Sequence, residues 1–136
     1  MTLFFEQLKQ STAAAQQAML TAPVIADVQQ GNISKEMYIA FLTQAYHHVK
    51  HTVPLLMACG GRLSGEYEWV RDAIAEYIEE EKGHQEWILN DIKACGGDAE
   101  AVRNNKVVGQ VGAPIELVVS YLYHNIDRHN PLALFG

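Results

Sequence analysis

The chain has 136 residues, of which 49% are hydrophobic and 19% charged, and a net charge of −6 at neutral pH. This apolar content is too high for a disordered protein, and the length predicts a single domain over residues 1–136. The negative charge and the absence of a Lys/Arg cluster argue against nucleic acid or anionic lipid as partners. No segment approaches about 18 consecutive apolar residues, and the N-terminus lacks the basic and apolar blocks of a signal peptide. We therefore expect a cytoplasmic protein that does not enter the membrane.

The first half of the chain shows the helical period throughout. A first helix is predicted over Leu3–Leu20, and a short second one over Val24–Gln30. Ser34 stands where an N-cap belongs, and it begins a long helix that runs to about Cys59. Because Pro54 has no backbone N–H and its ring clashes with the preceding turn, we expect this helix to kink near residue 50.

The second half of the chain is also helical in its pattern. A long helix is predicted from about Gly65 to Cys95, followed by a short polar connection over Asp98–Asn105. Residues 107–114 have the composition of a loop, and Pro114 fits the first turn of a last full helix that ends at about His129. Since no alternating strand pattern of useful length occurs, the sequence predicts an all-α helical bundle.

The C-terminus begins one more apolar helix. Asn130 fits an N-cap and Pro131 the first helical position, but the chain stops at Gly136, scarcely one turn later. A helix this short is not stable alone. Either it docks as a stub, or the sequence is the N-terminal part of a longer domain. We expect the second, that is, a bundle that is incomplete at its C-terminus.

Both cysteines, Cys59 and Cys95, stand in the same local sequence, ACGG. Each GG follows a long helical pattern, so glycine C-caps are the simplest interpretation. Consecutive antiparallel helices end at opposite poles of a bundle, which would separate the two thiols. We therefore expect neither a disulfide nor a metal site that uses both cysteines.

The segment EEEKGHQEW, which begins at Glu79, places two polar residues on an apolar helix face. On a continuous helix with about 100° per residue, Glu81 and His84 lie within about 40° of Val70, in the stripe that faces the core. The other members of this stripe are Ile74, Tyr77, Ile88, Ile92 and Cys95. A carboxylate in the core must be paired, protonated or bound to a metal.

Two interpretations of Glu81 and His84 remain open. A Glu-x-x-His motif directs both side chains at one point between helices, as in bundles that hold iron or manganese. Alternatively, the two residues form a hydrogen-bonded pair, or the helix tilts so that both stay at the rim. Tyr77, one turn earlier on the same face, is assigned to the lining of the associated pocket.

The segment QAYHHVKHTVP, which begins at Gln44, carries three histidines. On a helical count centred on Tyr38, Gln44, His48 and His51 lie along the flank of the core stripe, whereas His47 points away. A mixed polar and apolar flank of this kind suits the wall of a pocket, where a histidine orients a ligand or donates to a carboxylate. We assign Gln44, His48 and His51 to the pocket lining. Partly exposed surface histidines are the alternative interpretation of His48 and His51.

The last full helix is apolar on two sides. One face carries His129, which is predicted to be a core histidine, together with Ile115, Val118, Val119, Leu122 and Ile126. His124 does not join that face. Leu117 and Tyr121 make the reverse side apolar, which implies burial between two layers of helices or contact with residues that this chain lacks.

The sequence contains no G-x-S-x-G segment, P-loop or G-x-G-x-x-G segment, and neither cysteine has a nucleophile motif around it. A ferritin-like di-iron site takes two Glu-x-x-His motifs and two further Glu residues. This chain has one such motif, and a symmetric dimer would supply a second copy of it.

Three segments in this order, FLTQAYHHVKHTVPLL, EEEKGHQEW and YLYHNIDRHNPLALFG, resemble the N-terminal part of the haem-oxygenase-like, or TenA/PqqC-like, superfamily. They are most similar to its haem-oxygenase-like di-iron oxidases. The resemblance covers most of the chain and rests on short motifs. It implies an all-helical, commonly dimeric protein that uses non-haem iron and O2 on small acids, amino acids or its own side chains.

By this resemblance, Glu81 and His84 match the first carboxylate and the first histidine of the iron site, with manganese as the other candidate metal. His48 and His51 match the family's His-rich helix, which lines the pocket. The family's other ligands, a carboxylate on the next helix and a His/Asp/His group further on, would lie beyond Gly136. The cysteine nucleophile of TenA-type thiaminases has no counterpart here.

The resemblance thus implies an iron-dependent oxidase or oxygenase, with a single or a di-iron centre, that acts on a small carboxylate-bearing substrate, or a fragment of such an enzyme. We expect a homodimer. The alternative is a metal-free helical domain that binds a small ligand or a partner protein, with Glu81 and His84 as a structural pair.

Overall fold

The computed structural model describes residues 2–106 and 111–135. Over these two ranges the regular structure is entirely helical, with eight α-helices, two short 3-10 helices and no strand. The predicted all-α architecture is confirmed. None of the helices in this part of the chain combines the length and the apolar character that a membrane span requires.

The chain divides into two compact units, Met1–Met37 and Tyr38–Gly136. The single domain expected from the length stays a prediction. The first unit contains α1, Thr2–Leu20, and α2, Pro23–Gln29. Pro23 occupies the first turn of α2, where its missing N–H leaves no helical hydrogen bond unmade.

The helices α3, Lys35–Val49, and α4, Thr52–Arg62, replace the single long helix that was expected there. The Ser34 hydroxyl accepts a hydrogen bond from the Met37 N–H at 3.2 Å, which confirms the N-cap of α3. The predicted kink near residue 50 is also confirmed, as a complete break. It follows from Pro54, which cannot donate to the carbonyl four residues earlier.

The first ACGG segment lies inside α4, so the glycine C-cap predicted there is wrong. The helix continues past Cys59 to Arg62. Arg71, from the following helix, satisfies carbonyl groups at the end of α4: its guanidinium donates to Gly60 O at 3.0 Å and to Leu63 O at 2.6 Å. A side chain from a neighbouring helix therefore takes the place of the expected glycine cap.

The predicted helix from Gly65 to Cys95 is interrupted, which corrects the expectation of one continuous helix. It consists of a 3-10 turn, Gly65–Tyr67, then α5, Glu68–Glu81, and α6, His84–Ala94. The break lies at Gly83, whose φ of 93° is in the left-handed region that glycine adopts without steric cost.

The second ACGG segment caps α6 as predicted. Cys95 is the C-cap residue, and Gly96 follows it with a left-handed φ of 88°. The Gly97 N–H donates to Ile92 O at 2.9 Å, and the Gly96 N–H donates to Lys93 O at 3.0 Å. These are the two hydrogen bonds of a Schellman motif, which satisfies the last carbonyl groups of the helix.

Two further α-helices follow, α7, Ala99–Arg103, and α8, Ala113–Arg128. Both lie close to their predicted positions, with Pro114 in the first turn of α8. Of the loop predicted over residues 107–114, residues 107–110 lie outside the described residues. The Asp98 carboxylate accepts the Ala101 N–H at 2.9 Å and caps α7.

The C-terminal segment docks as a short 3-10 helix, Pro131–Phe135. The Cys59 thiol donates to Pro131 O at 3.2 Å. Leu132 and Leu134 pack against the buried cluster to which α4 and α8 contribute. The stub therefore contributes apolar side chains to the core.

The buried side chains of the second unit form two clusters. The first cluster comes from α4 with its C-terminal end, α5 and α8, and consists of Leu55, Leu56, Cys59, Leu63, Val70, Ile74 and Ile126. The second cluster comes from α3, α6 and α7, and consists of Leu42, Tyr46, Leu89, Ile92 and Val102. Because α5 belongs to the first cluster and α6 to the second, the chain passes from one to the other at Gly83.

We expect Gly83→Ala to lower the free energy of unfolding by about 1–2 kcal/mol, because a residue with a Cβ is strained in a left-handed conformation. No atom lies within 4 Å of the Cβ position at Gly83, so the loss would come from the backbone and not from a clash. Gly61→Ala is the matched control. Its Cβ position is also open, but it lies in α4, where alanine is favoured by up to about 1 kcal/mol. Chemical denaturation measures both, and a loss of equal size in the two variants would contradict the assignment.

Candidate functional site

Glu81 and His84 lie on either side of the Gly83 break. Glu81 is the last residue of α5, and His84 is the first residue of α6. Their side chains meet, with His84 Nδ1 2.9 Å from Glu81 Oε2. Both are partly buried, since the side chains of His84 and Glu81 are 31% and 19% exposed. The break in the helix, and not a continuous helical face, sets this geometry.

Two aromatic side chains flank the pair. The ring of Trp87 lies 4.4 Å from the ring of His84, measured between centroids. Tyr77 lies one turn before Glu81, and the charge of the Glu81 carboxylate raises the pKa of the Tyr77 phenol. Burial, a hydrogen bond to Glu81 and the charge of Glu80 raise this pKa further. Tyr77 is therefore a neutral hydrogen-bond donor beside the carboxylate at neutral pH.

The pair offers the donor types that iron accepts, a carboxylate oxygen and an imidazole nitrogen. The two donor atoms are adjacent and partly shielded from water, which fits two neighbouring positions around one metal ion. Within residues 2–106 and 111–135, however, no group of three or more His, Cys, Asp and Glu side chains could hold a metal. The pair thus fits part of an iron site, and metal binding by Glu81 and His84 stays a prediction.

A cavity of ≈ 340 Å³ lies where the break between α3 and α4 meets the N-terminal half of α8. Its polar lining includes two imidazoles, one ammonium group and one carboxylate, from His47, His51, Lys50 and Glu116. Ile115 and Val119 are among its apolar lining residues. Of the residues assigned to a pocket from the sequence, His51 lines this cavity.

His47 is the buried polar residue of the cavity wall. It is 1% exposed, and its Nδ1 accepts a hydrogen bond from Lys50 Nζ at 3.0 Å. Since an ammonium group can only donate, neutral His47 carries its proton on Nε2. Burial, followed by the charges of Lys50 and His51, lowers the pKa of His47. Burial, followed by the charges of Lys50 and His48, lowers the pKa of His51.

The side chains of the histidine-rich segment do not face the directions that the helical count predicts. Gln44 is partly buried and accepts the Gly112 N–H at 2.8 Å, which ties α3 to the start of α8. His48 is exposed. The prediction that His47 points away is wrong, because the count was centred on Tyr38, which is itself 41% exposed. The buried residues of α3, which are Leu42, Tyr46 and His47, define a face that is rotated around the helix axis from the direction of Tyr38.

The all-α architecture is consistent with the haem-oxygenase-like class. A family model described as "iron-containing redox enzyme" matches residues 39–136, which is well over half of the chain. The chain therefore belongs to this family of iron-containing redox enzymes, within the haem-oxygenase-like, TenA/PqqC-like superfamily. The resemblance inferred from the sequence and the expected fold class are both confirmed. No curated protein and no solved structure matches the chain significantly.

We expect the stability of the protein to fall as the pH decreases from about 7.5 to about 5.5, and His47 to contribute to this loss. The folded-state pKa of His47 lies below its ordinary value of 6.5, so the unfolded chain binds more protons in this range and acid favours unfolding. The free energy of unfolding of wild type and His47→Gln, measured against pH, checks this. The variant should show a shallower slope, and His48→Gln, at an exposed position, should follow wild type. Identical slopes for wild type and His47→Gln would contradict the assignment.

Proposed function

We propose that this chain forms part of an iron-dependent oxidase or oxygenase that acts on a small carboxylate-bearing substrate. Membership of the family supplies the general class, iron and redox chemistry. The observation that carries the residue assignment is the 2.9 Å contact between His84 Nδ1 and Glu81 Oε2. We propose a di-iron centre, with manganese as the alternative metal.

Glu81 would supply a carboxylate oxygen to the metal, and His84 would supply Nδ1. A proton on His84 Nδ1 must move to Nε2 or leave before this nitrogen binds a cation. The Tyr77 phenol, one turn before Glu81, would donate a hydrogen bond to the carboxylate and fix its orientation. Iron, when bound, would supply O2 binding and the oxidation of the substrate.

We further propose that a second copy of the chain supplies the remaining ligands, in a homodimer. The described residues provide no third donor of the His, Cys, Asp or Glu type beside the pair. A two-fold axis near Glu81 and His84 would bring together two carboxylates and two imidazoles. Glu80 adds negative charge to the same end of α5, so two such segments would repel one another unless a cation lay between them.

The proposed substrate class is supported by the cavity beside the α3–α4 break. Lys50 places an ammonium group in its lining, and one of the three donors of this group is used by His47. The remaining donors suit a carboxylate. Glu116, on the α8 side of the cavity, would repel a carboxylate and so orient the ligand with its acid group towards Lys50.

We expect wild-type protein reconstituted with Fe²⁺ under anaerobic conditions to retain the metal through desalting, and Glu81→Ala and His84→Ala to lose it. Loss of a ligand should weaken binding by at least about 10–100-fold, the range known for outer-sphere partners. Glu79→Ala is the matched control, because this carboxylate is on the same helix end but pairs with Lys82 at 3.3 Å. Elemental analysis of the desalted samples gives the result. Equal iron and manganese in wild type and both site variants would refute the ligand assignment.

Light scattering on the same samples tests the dimer. The mass of the wild-type protein should double when metal is added, whereas His84→Ala should stay at the mass of one chain. A wild-type chain that binds metal as a monomer would overturn the proposal of a second copy and leave Glu81 and His84 as ligands.

A metal-free domain that binds a small ligand or a partner protein is the second candidate, because the 2.9 Å contact also fits a hydrogen-bonded structural pair. The two candidates differ in a double-mutant cycle of Glu81→Ala and His84→Ala. A structural pair should show a coupling of at least about 0.5 kcal/mol in unfolding measured without metal. It should also show no difference in metal content among the variants.

We expect Lys50→Met to weaken the binding of short carboxylic acids by about tenfold or more, since hydrogen bonds to charged groups contribute roughly 1.5–3 kcal/mol. Titration with butyrate, followed by NMR chemical shifts, measures the dissociation constant. Lys93→Met removes an exposed ammonium group on α6 and is the control for net charge. Equal affinity in wild type and Lys50→Met, or no shift at the cavity residues, would contradict the substrate class.

A further inference from the structure

Two histidines meet at the C-terminal end of α8. His124 lies in the helix, and His129 is its C-cap residue. Their Nε2 atoms are 3.2 Å apart, and their ring centroids are 5.0 Å apart. The prediction that His129 is a core histidine is wrong, because the side chains of both His124 and His129 are exposed.

The end of the helix explains why these rings meet. On a continued α-helix, residues five positions apart differ by about 140° around the axis, so the two side chains would diverge. His129 has φ −133° and ψ −106°, which is not helical. The chain turns at this residue, and the ring of His129 comes to lie beside the ring of His124.

The separation of the two nitrogens suits a shared cation. In a tetrahedral or octahedral site with metal–nitrogen bonds of about 2.0–2.1 Å, neighbouring ligand atoms lie about 2.9–3.4 Å apart. The observed 3.2 Å falls inside this range. Without a cation, one imidazole must donate its Nε2 proton to the other, since two lone pairs at this distance repel.

The surroundings favour a cation as well. The carbonyl end of a helix carries partial negative charge, and both rings lie at this end of α8. The nearby carboxylate of Asp127 is paired with Arg62 at 2.6 Å, so it is engaged elsewhere. Among the described residues, no third His, Cys, Asp or Glu joins the two rings, and water would occupy the other positions around a metal.

We propose that His124 and His129 form a two-imidazole binding site for a borderline divalent cation of the Zn²⁺ or Ni²⁺ type. Imidazole nitrogen selects such ions over Mg²⁺ and Ca²⁺, which prefer oxygen. The site uses none of the residues of the Glu81–His84 pair, and it does not depend on the proposed iron chemistry.

Binding at this site has a structural consequence. His129 directly precedes the segment that leads into the 3-10 helix Pro131–Phe135, whose Leu132 and Leu134 pack against the first core cluster. A cation shared by His124 and His129 joins the last turns of α8 to this segment. It therefore stabilises the docked state of the 3-10 helix relative to its detached state.

A Zn²⁺ titration of protein with ¹⁵N-labelled histidine tests the proposal at neutral pH, on a His84→Ala background that removes the other Glu–His pair. The Nε2 signals of His124 and His129 should shift together on binding. Single substitutions, His124→Gln or His129→Gln, should each raise the dissociation constant by at least about tenfold, by the same reasoning as for any lost ligand. His48→Gln, which removes an exposed histidine of α3, should leave it unchanged.

Hydrogen exchange gives an independent readout of whether the cation stabilises the docked 3-10 helix Pro131–Phe135. Amide exchange in residues 132–135 should slow on addition of Zn²⁺ in the parent protein and not in His124→Gln. Zn²⁺ affinity that is the same in His124→Gln and its parent would overturn the proposal. So would Nε2 signals of His124 and His129 that do not respond to the metal.

Discussion

The conformation of Gly83 is the constraint on which the second unit of this protein depends. Its left-handed φ of 93° divides one long helical segment into α5 and α6. Val70 and Ile74 can then join the core formed with α4 and α8, while Leu89 and Ile92 join a different core with α3 and α7. A single straight helix would present Val70, Ile74 and Ile92 on one stripe, which could face only one of the two clusters.

A second break has the same consequence. Pro54 causes the interruption between Val49 and Thr52. As a result, α3 contributes side chains to the second cluster and α4 to the first. Both sets of candidate functional groups lie at these two breaks, Glu81 and His84 at one, Lys50 and His51 at the other. At a break the helix hydrogen bonds are incomplete and water has access, so polar side chains can lie beside the core without full desolvation.

The sequence predicted the elements that depend on local chemistry and missed those that depend on tertiary packing. Ser34 and Pro54 act through their own backbone neighbourhood, and both predictions are confirmed. The two ACGG segments are locally alike, yet one continues a helix and the other ends it. The difference comes from Arg71, which donates hydrogen bonds to the carbonyl groups at the end of α4 and lies eight or more residues away in sequence.

The conformation of Gly83 is ambiguous from the sequence alone, since glycine is compatible with both a helix interior and a left-handed break. The meeting of Glu81 and His84 was nevertheless predictable, because only two residues separate them, too few for the break to carry them apart.

The pair Glu81–His84 and the pair His124–His129 differ in what holds their side chains together. Glu81 and His84 form a partly exposed pair, which contributes at most about 1 kcal/mol to stability, so the fold does not depend on it. Their closeness in sequence brings them together across the Gly83 break, and the two core clusters hold the ends of α5 and α6 in place. Donor atoms held by elements that are anchored elsewhere are preorganised for a cation. His129 is exposed at the C-cap of α8, where its N–H donates to Asn125 O, so its position depends on the last turn of α8 and on the docked 3-10 helix. A cation at the first pair would bind to donors already in place, whereas a cation at the second pair would itself order one of its ligands and bind more weakly for that reason.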